Sequence, residues 1–389
     1  MTEASLVDFY RRHSISPVRQ RIPNLEEHFA RRAGLYHHLG LLPAFLRGRS
    51  VVEIGPGSGF NSLYTAALEP SRYVLLEGNP TGVADIEALF ADFPELRQRI
   101  EIVCALVEDY PSNERFDFVF CEGMLALAGM PDPTALLRCV ARLTAAGGVL
   151  VITCIDAISY FAETLRRLFG QLLIDPAEPL DVKAERLTRV FGPHLSTIVG
   201  MNRRHDDWVI DNLLNWASIG PYLPIPHAIA AIHGEFEFFA ASPHYTTDWR
   251  WYKSLTRPAA GFGELAIEQY WENAHNLLDF RRTFPPRDAA LNKVLYAQCE
   301  STRDIIRRYE TTRDISLVEA IRSELSGVER SVRTFSGETA NAVREASMLL
   351  QRLPLDGDAV ASCKAFASWF GRGQQYLSFN RVHETWNII

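Results

Sequence analysis

No stretch of 18 apolar residues occurs in this chain, and its first 20 residues mix Asp, Arg and Glu where a secretory leader needs an apolar core. A secreted or membrane-spanning protein is therefore not expected; a soluble, cytoplasmic one is. Long basic runs are missing too. Forty basic residues stand against 47 acidic ones, a net charge of −7, which argues against a nucleic-acid binder held by phosphate contacts. Cysteine is scarce: the six, Cys104, Cys121, Cys139, Cys154, Cys299 and Cys363, form no C-x-x-C pair and fall mostly in expected strands or helices. They read as buried, reduced thiols rather than disulfide or zinc ligands, and no metal is expected. Internal repeats and low-complexity tracts are absent. Apolar residues are plentiful, 47% of 389, enough to build the cores of two or three domains.

The most informative run is VVEIGPGSGFN, residues 51–61. Val51 to Ile54 read as a short buried strand, glycines follow at 55, 57 and 59, and Leu63, Ala66 and Ala67 are the apolar positions of a helix. A strand that turns on glycines into a helix collects bare backbone N–H groups and a positive helix terminus at one point, where a nucleotide-like ligand fits. A Cβ there would block close approach or a turn with positive φ. The nicotinamide fingerprint G-x-G-x-x-G needs a third glycine at 60 or 62, where Phe60 and Ser62 stand. What the run does match is E-x-G-x-G-x-G, with Glu53 inside the strand.

That pattern resembles motif I of class I S-adenosylmethionine-dependent methyltransferases. The resemblance implies that Glu53 orients the loop and that the loop backbone faces the methionine part of the cofactor, S-adenosyl-L-methionine. Arg72 to Leu76 read as a second strand with Glu77 at its end, 18 positions after Gly59, well placed for the ribose hydroxyls. Ile100 to Cys104 form a third strand, and in the family the loop after it, here Ala105, Leu106, Val107 and Glu108, lies along the adenine. Phe116 to Cys121 form a fourth, followed by Glu122, Gly123 and Met124. A helix (Ala135 to Leu143), a turn at Ala146-Gly147-Gly148 and a fifth strand (Val149 to Cys154) complete the order. Strands alternating with helices imply a doubly wound, mostly parallel α/β sheet with helices on both faces. The cofactor-binding set that the resemblance implies is Tyr36, Glu53, Gly55, Gly57, Gly59, Asn61, Glu77, Gly78, Asn79, Ala105, Leu106, Val107, Glu122 and Gly123.

The chain divides as a helical lead-in and lid (1–48), a methyltransferase domain (49–255) with a helical substrate cap inserted at about 156–232, and a C-terminal all-helical domain (256–389). Tyr36 in the lead-in is a candidate lid whose ring could face the sulfonium, or else a residue that packs its helix on the sheet. In the cap, Met201 to Trp208 with Asp211 and Asn212 form a dense polar–aromatic cluster, and Trp208, Asn212, Leu213 and Trp216 have helical spacing. A second cluster, Ser242 to Lys253, follows strand-like residues 235–240. One further late strand cannot be found. Mixed Trp, His and carboxylates suit a polar, ring-shaped substrate, and His205, Asp207, His227 and His244 are the candidate general bases. In the C-terminal third, Val318, Ile321, Leu325, Val328, Val332 and Phe335 make a stripe opened by a Ser316-x-x-Glu319 capping box. This is either an intramolecular bundle, favoured by fewer than three heptads, or a hairpin pairing across a homodimer.

Further absences narrow the substrate. The resemblance carries no [DNS]-P-P-[FYW] after strand four, no Pro-Cys dipeptide and no second loop glutamate beside Glu122, the marks of amino-methylating nucleic-acid enzymes, cytosine-C5 enzymes and arginine methyltransferases. A small molecule, sugar or natural-product intermediate is the expected acceptor, methylated on oxygen. A non-catalytic cofactor-binding scaffold that recruits a partner through the helical tail, and a nicotinamide-dependent oxidoreductase, are the alternatives.

Overall fold

The structure is a computed structural model that describes residues 9–10, 13, 22, 24–111, 113–125, 132–201, 203–215, 220–255 and 261–382. Strands β1 (Ser50–Ile54), β2 (Arg72–Leu76), β3 (Ile100–Val103), β4 (Phe116–Cys121), β5 (Thr144–Cys154), β6 (Phe236–Ser242) and β7 (Gln375–Arg381) form one sheet in the order β3-β2-β1-β4-β5-β7-β6. The first five pair in parallel, and β7 runs antiparallel between β5 and β6. This is a class I methyltransferase fold. Helices α1 (Leu25–His38), α2 (Phe60–Ala67), α3 (Pro80–Ala91) and α4 (Pro133–Ala141) accompany the first five strands. After β5 come α5 (Phe161–Leu173), α6 (Leu180–Leu195), α7 (His205–Val209) and α8 (Ile225–Ala231). Between β6 and β7 lie α9 (Gly261–Asn273), α10 (Ala289–Thr312), α11 (Leu317–Arg333), α12 (Gly337–Leu349), α13 (Gly357–Ser362) and α14 (Ala365–Ser368).

The chain folds as two compact units. The sheet unit comprises 1–155, 220–270 and 374–389; the helical unit comprises 156–219 and 271–373. Residues expected as a separate cap and a separate C-terminal domain thus share one helical unit. β7, which lies inside the stretch expected to be all-helical, is the late strand that the sequence did not reveal. Its pattern, QYLSFNR, is half polar, yet Leu377, Ser378 and Phe379 are all buried. The buried Ser378 hydroxyl is satisfied by the Leu39 carbonyl at 2.9 Å.

The sheet core follows from near-continuous apolar runs, as expected for parallel strands covered on both faces: Val51, Val52, Tyr73, Val74, Leu75, Val119 and Phe120 are all buried. In the helical unit α5 is buried along its whole first three turns, from Phe161 to Gln171, charged residues included. Arg166 donates to the Phe366 and Ala367 carbonyls at 2.8 and 3.0 Å, and its guanidinium lies 3.6 Å from the Phe370 ring centroid. Arg167 forks onto Glu310 at 2.6 and 3.0 Å. The α11 stripe is buried as expected from Val318 to Val332. Its capping box is not formed, however: Ser316 makes no side-chain cap and instead bonds Asp314, whose carboxylate also accepts the Ser316 N–H. All six cysteines are free, but only Cys121, Cys154 and Cys299 are buried; Cys139 and Cys363 are half-buried and Cys104 is exposed. Trp216 and Asn202 of the first aromatic cluster and Pro258 lie outside the described residues. No described helix is long and apolar enough to cross a membrane.

Candidate cofactor site

Parallel register decides what meets at the carboxyl edge of the sheet. Leu76 on β2, Ile54 on β1 and Cys121 on β4 stand side by side. The residues that follow them, Glu77, Gly55 and Glu122, therefore emerge in a row, with Glu77 and Glu122 two strand spacings apart, roughly 10 Å.

The glycine loop lies in the middle of that row. Gly55, Gly57 and Gly59 have φ of +67°, +60° and +82°, a conformation that side chains disfavour, and Gly59 caps α2. A Cβ on Gly55 would stand 3.0 Å from the Met124 sulfur. Below the loop Glu53 is buried and accepts the Ser62 hydroxyl at 2.8 Å and the Tyr73 phenol. Burial, reinforced by the Glu122 charge, raises its carboxyl above the ordinary value. Glu53 therefore ties α2 to β2 under the loop, a bracing position.

On the β2 side, Glu77 is only 4% exposed. One carboxylate oxygen accepts the Gly57 N–H at 3.0 Å and the other the Asn79 N–H at 2.8 Å. These two bonds fix the direction of the carboxylate at the end of β2. Asn79 caps α3 by accepting the Thr81 N–H at 3.2 Å. A Cβ on Gly78 would fall 2.6 Å from the Leu106 Cδ2, so the Leu106 side chain would have to shift to admit it. The end of β2 thus closes on the 105–107 loop, where Leu106 is 38% exposed beside it. Val107 is buried and its carbonyl accepts from Arg142 at 3.0 Å, which anchors the loop.

On the β4 side lies a pair that sequence reasoning missed. Arg32, one turn before Tyr36 on α1, forks onto Glu122 at 2.8 and 2.5 Å, both side chains nearly buried. Asn61 in the first turn of α2 donates to the same carboxylate at 3.4 Å. Burial, the largest single influence, would lower the Arg32 guanidinium, but the Glu122 charge and hydrogen bonds together with the Tyr36 and Tyr376 phenols hold the group well above its ordinary value. The Gly123 N–H donates to Thr153 at 2.8 Å. Of the two readings of Tyr36, its burial favours the one in which it packs α1 on the sheet. It is 1% exposed, its ring stacks on Phe120 and carries the Arg32 guanidinium at 5.2 Å, and its hydroxyl bonds Thr65 at 2.7 Å.

The four candidate bases are divided between the two units. His205 and Asp207 lie on α7 in the helical unit. His227 is exposed on α8 in the sheet unit. His244 follows β6, its Nε2 2.9 Å from the His38 carbonyl at the end of α1 and its ring 4.5 Å from that of His38. Among the described residues no three metal-ligating side chains gather.

Residues 52–152 match the model of a methyltransferase domain family. This stretch is thus similar to a methyltransferase domain, on a sheet with the strand order described above. No curated protein matches the chain. Among solved structures, the CcbJ methyltransferase from Streptomyces caelestis is 19% identical over 36% of this chain and 52% of its own, with a TM-score of 0.29. An S-adenosylmethionine-dependent methyltransferase from Mesorhizobium loti is 20% identical over 36% and 58%, TM-score 0.27. The glycopeptide N-methyltransferase MtfA, complexed with S-adenosylhomocysteine, is 17% identical over 34% and 54%, TM-score 0.29. The chain spans little more than half the length of these structures.

Proposed function

We propose that this protein transfers a methyl group from S-adenosylmethionine to a hydroxyl of a small molecule, sugar or natural-product intermediate. The observation that carries the reading is the row at the carboxyl edge: an aimed acid at β2, a side-chain-free loop at β1 and a charged pair at β4, on a domain of the matching family. S-adenosylmethionine, when bound, supplies a methyl on a sulfonium and so already activated for displacement. The chain's own task is orientation, which can contribute about 7–11 kcal/mol of the barrier. Glu77 would hold the ribose hydroxyls, Leu106 would lie against the adenine, and the loop would accept close approach.

A hydroxyl acceptor must release its proton, and the base is proposed among His205, Asp207, His227 and His244. For the acceptor we point to the stretch after β6. Trp249, Trp251 and Tyr252 are 93%, 62% and 67% exposed there, offering ring faces. Next to it a cavity of about 280 Å³ is lined by Phe238, Phe239 and Phe262 with Thr246 and Thr247 among its other walls. Apolar walls with a few polar groups suit a ring-bearing ligand.

The test is methyl transfer from labelled S-adenosylmethionine to a panel of sugars, phenols and hydroxy acids, with Glu77→Ala as the control. Labelled ether products from the wild type, absent in the variant, are expected. S-adenosylhomocysteine binding without transfer to any acceptor would favour the scaffold reading instead.

A further inference from the structure

At the carboxyl edge the polar row does not stop at Glu122. Ile152 of β5 stands beside Cys121 of β4, so Thr153 follows beside Glu122, and Thr153 is in turn the register partner of Tyr376 on β7. Side chains alternate between the faces of a sheet, so Tyr376 shares a face with Ser378, whose hydroxyl meets the Leu39 carbonyl just past α1. On that face Tyr376 packs against the core that holds Tyr36, Phe120 and Val151. It is half-buried, and its hydroxyl has no hydrogen-bond partner among the described residues. Burial, and after it the Glu122 charge, push the phenol well above its ordinary value against the pull of Arg32, so it stays protonated. Two residues earlier, Gln374 turns back toward β4. A Cβ on Gly123 would stand 3.6 Å from its Nε2 and 3.8 Å from its Oε1. The Gln374 amide is likewise half-buried and without a hydrogen-bond partner among the described residues.

We propose that Tyr376 and Gln374 face the acceptor, their phenol and amide hydrogen-bonding the hydroxyl that receives the methyl group. This rests on the proposed function above. In that reading the ends of β2, β1 and β4 serve the cofactor, and open parallel sheets bind ligands outside the carboxyl ends of their strands. The next places along the same edge are β5 and β7. Tyr376 stands two strand spacings from Glu122, roughly 10 Å, and Gln374 reaches back across that gap. A phenol and an amide each donate and accept, so together they can fix the direction of a hydroxyl without adding a charge. Orientation is what this transfer chiefly demands. Because the phenol stays protonated, its part is to position the hydroxyl, and the base that takes the proton is a separate group. Ser242, the register partner of Tyr376 on β6, opens the aromatic stretch after that strand. An acceptor whose hydroxyl rests at Tyr376 therefore has the exposed tryptophans on its far side.

The test is methyl transfer from labelled S-adenosylmethionine to phenol, methyl β-D-glucopyranoside and mandelate, with S-adenosylhomocysteine binding followed by calorimetry. Tyr376→Phe keeps the ring in the core and removes only the hydroxyl; Gln374→Met keeps the length and removes the amide. Circular dichroism confirms that each is folded. Each variant is expected to lower kcat/KM for the methylated probe about tenfold or more, while S-adenosylhomocysteine affinity changes less than about twofold. An unchanged kcat/KM in either variant, or cofactor-product binding weakened as much as transfer, overturns the assignment and leaves the methyltransferase reading standing. A wild type that methylates none of these probes overturns both. Should one variant not fold, the other alone decides.

Discussion

Glu163 opens α5 with 7% of its surface exposed, and burial pushes its carboxyl up to about 7 despite the opposing pull of Arg166. In the unfolded chain the same group has its ordinary value of 4.5. The fold therefore favours the protonated form. Its contribution is whole below the unfolded value and is lost as pH rises through about 7. The shift corresponds to on the order of 3 kcal/mol. Relative to Glu163→Gln, the wild type should lose stability by about that amount between pH 4.5 and pH 8, read from denaturant midpoints. Parallel pH profiles for the two proteins would contradict it. At this scale the sequence spoke clearly where chemistry is local. Three alternate glycines and an acid at the end of the next strand are legible because backbone conformation and strand ends are short-range properties. The burial of Arg32 against Glu122 was not legible, since nothing in an Arg31-Arg32 pair tells which one turns inward.

Among the elements, β7 is the one whose loss would be felt most. It alone joins β6 to the sheet, and Leu377 and Phe379 are 0% and 1% exposed between β5 and β6. Leu377→Asp would place a carboxylate in that interior, at a cost of several kcal/mol. We expect loss of cooperative unfolding in the sheet unit, with amides of β6 exchanging rapidly; native-like protection of β6 would refute this. Five of the seven strands were readable as apolar runs between turn signals, and β6 as an alternating stretch displaced by one or two residues. β7 was not, because its interior place is set by two flanking strands rather than by its own composition. Strand β5 was also longer than read. It begins at Thr144, and the glycines expected as a turn before it form an irregularity in its register with β4.

For the whole molecule, the helical unit is assembled from two stretches of chain separated by β6. α10 packs on α5, while α13 and α14 pack on α6. The ion pair between Arg167 and Glu310 and the Arg166 bonds to the α14 region join the same stretches. Residues 271–373 expressed alone should therefore lack a cooperative transition in urea, and regain one when co-expressed with 156–219. A stable, cooperative 271–373 fragment would show that the C-terminal helices carry their own core. Leu165, Leu168 and Phe169 of α5, all fully buried, supply the apolar surface that fragment would miss.

The sequence by itself determined the strand–loop–helix unit at 51–67, the acid at 77, the parallel order of the first five strands and the helical character of the last third. Each depends on residues near one another in the chain, where periodicity and glycine placement act directly. Only the tertiary structure decided that Arg32 meets Glu122 across 90 positions, that Tyr36 belongs to the core, and that residues 375–381 complete the sheet. Those outcomes depend on burial and on partners that close long loops, and the energies of such contacts are not written in any local pattern.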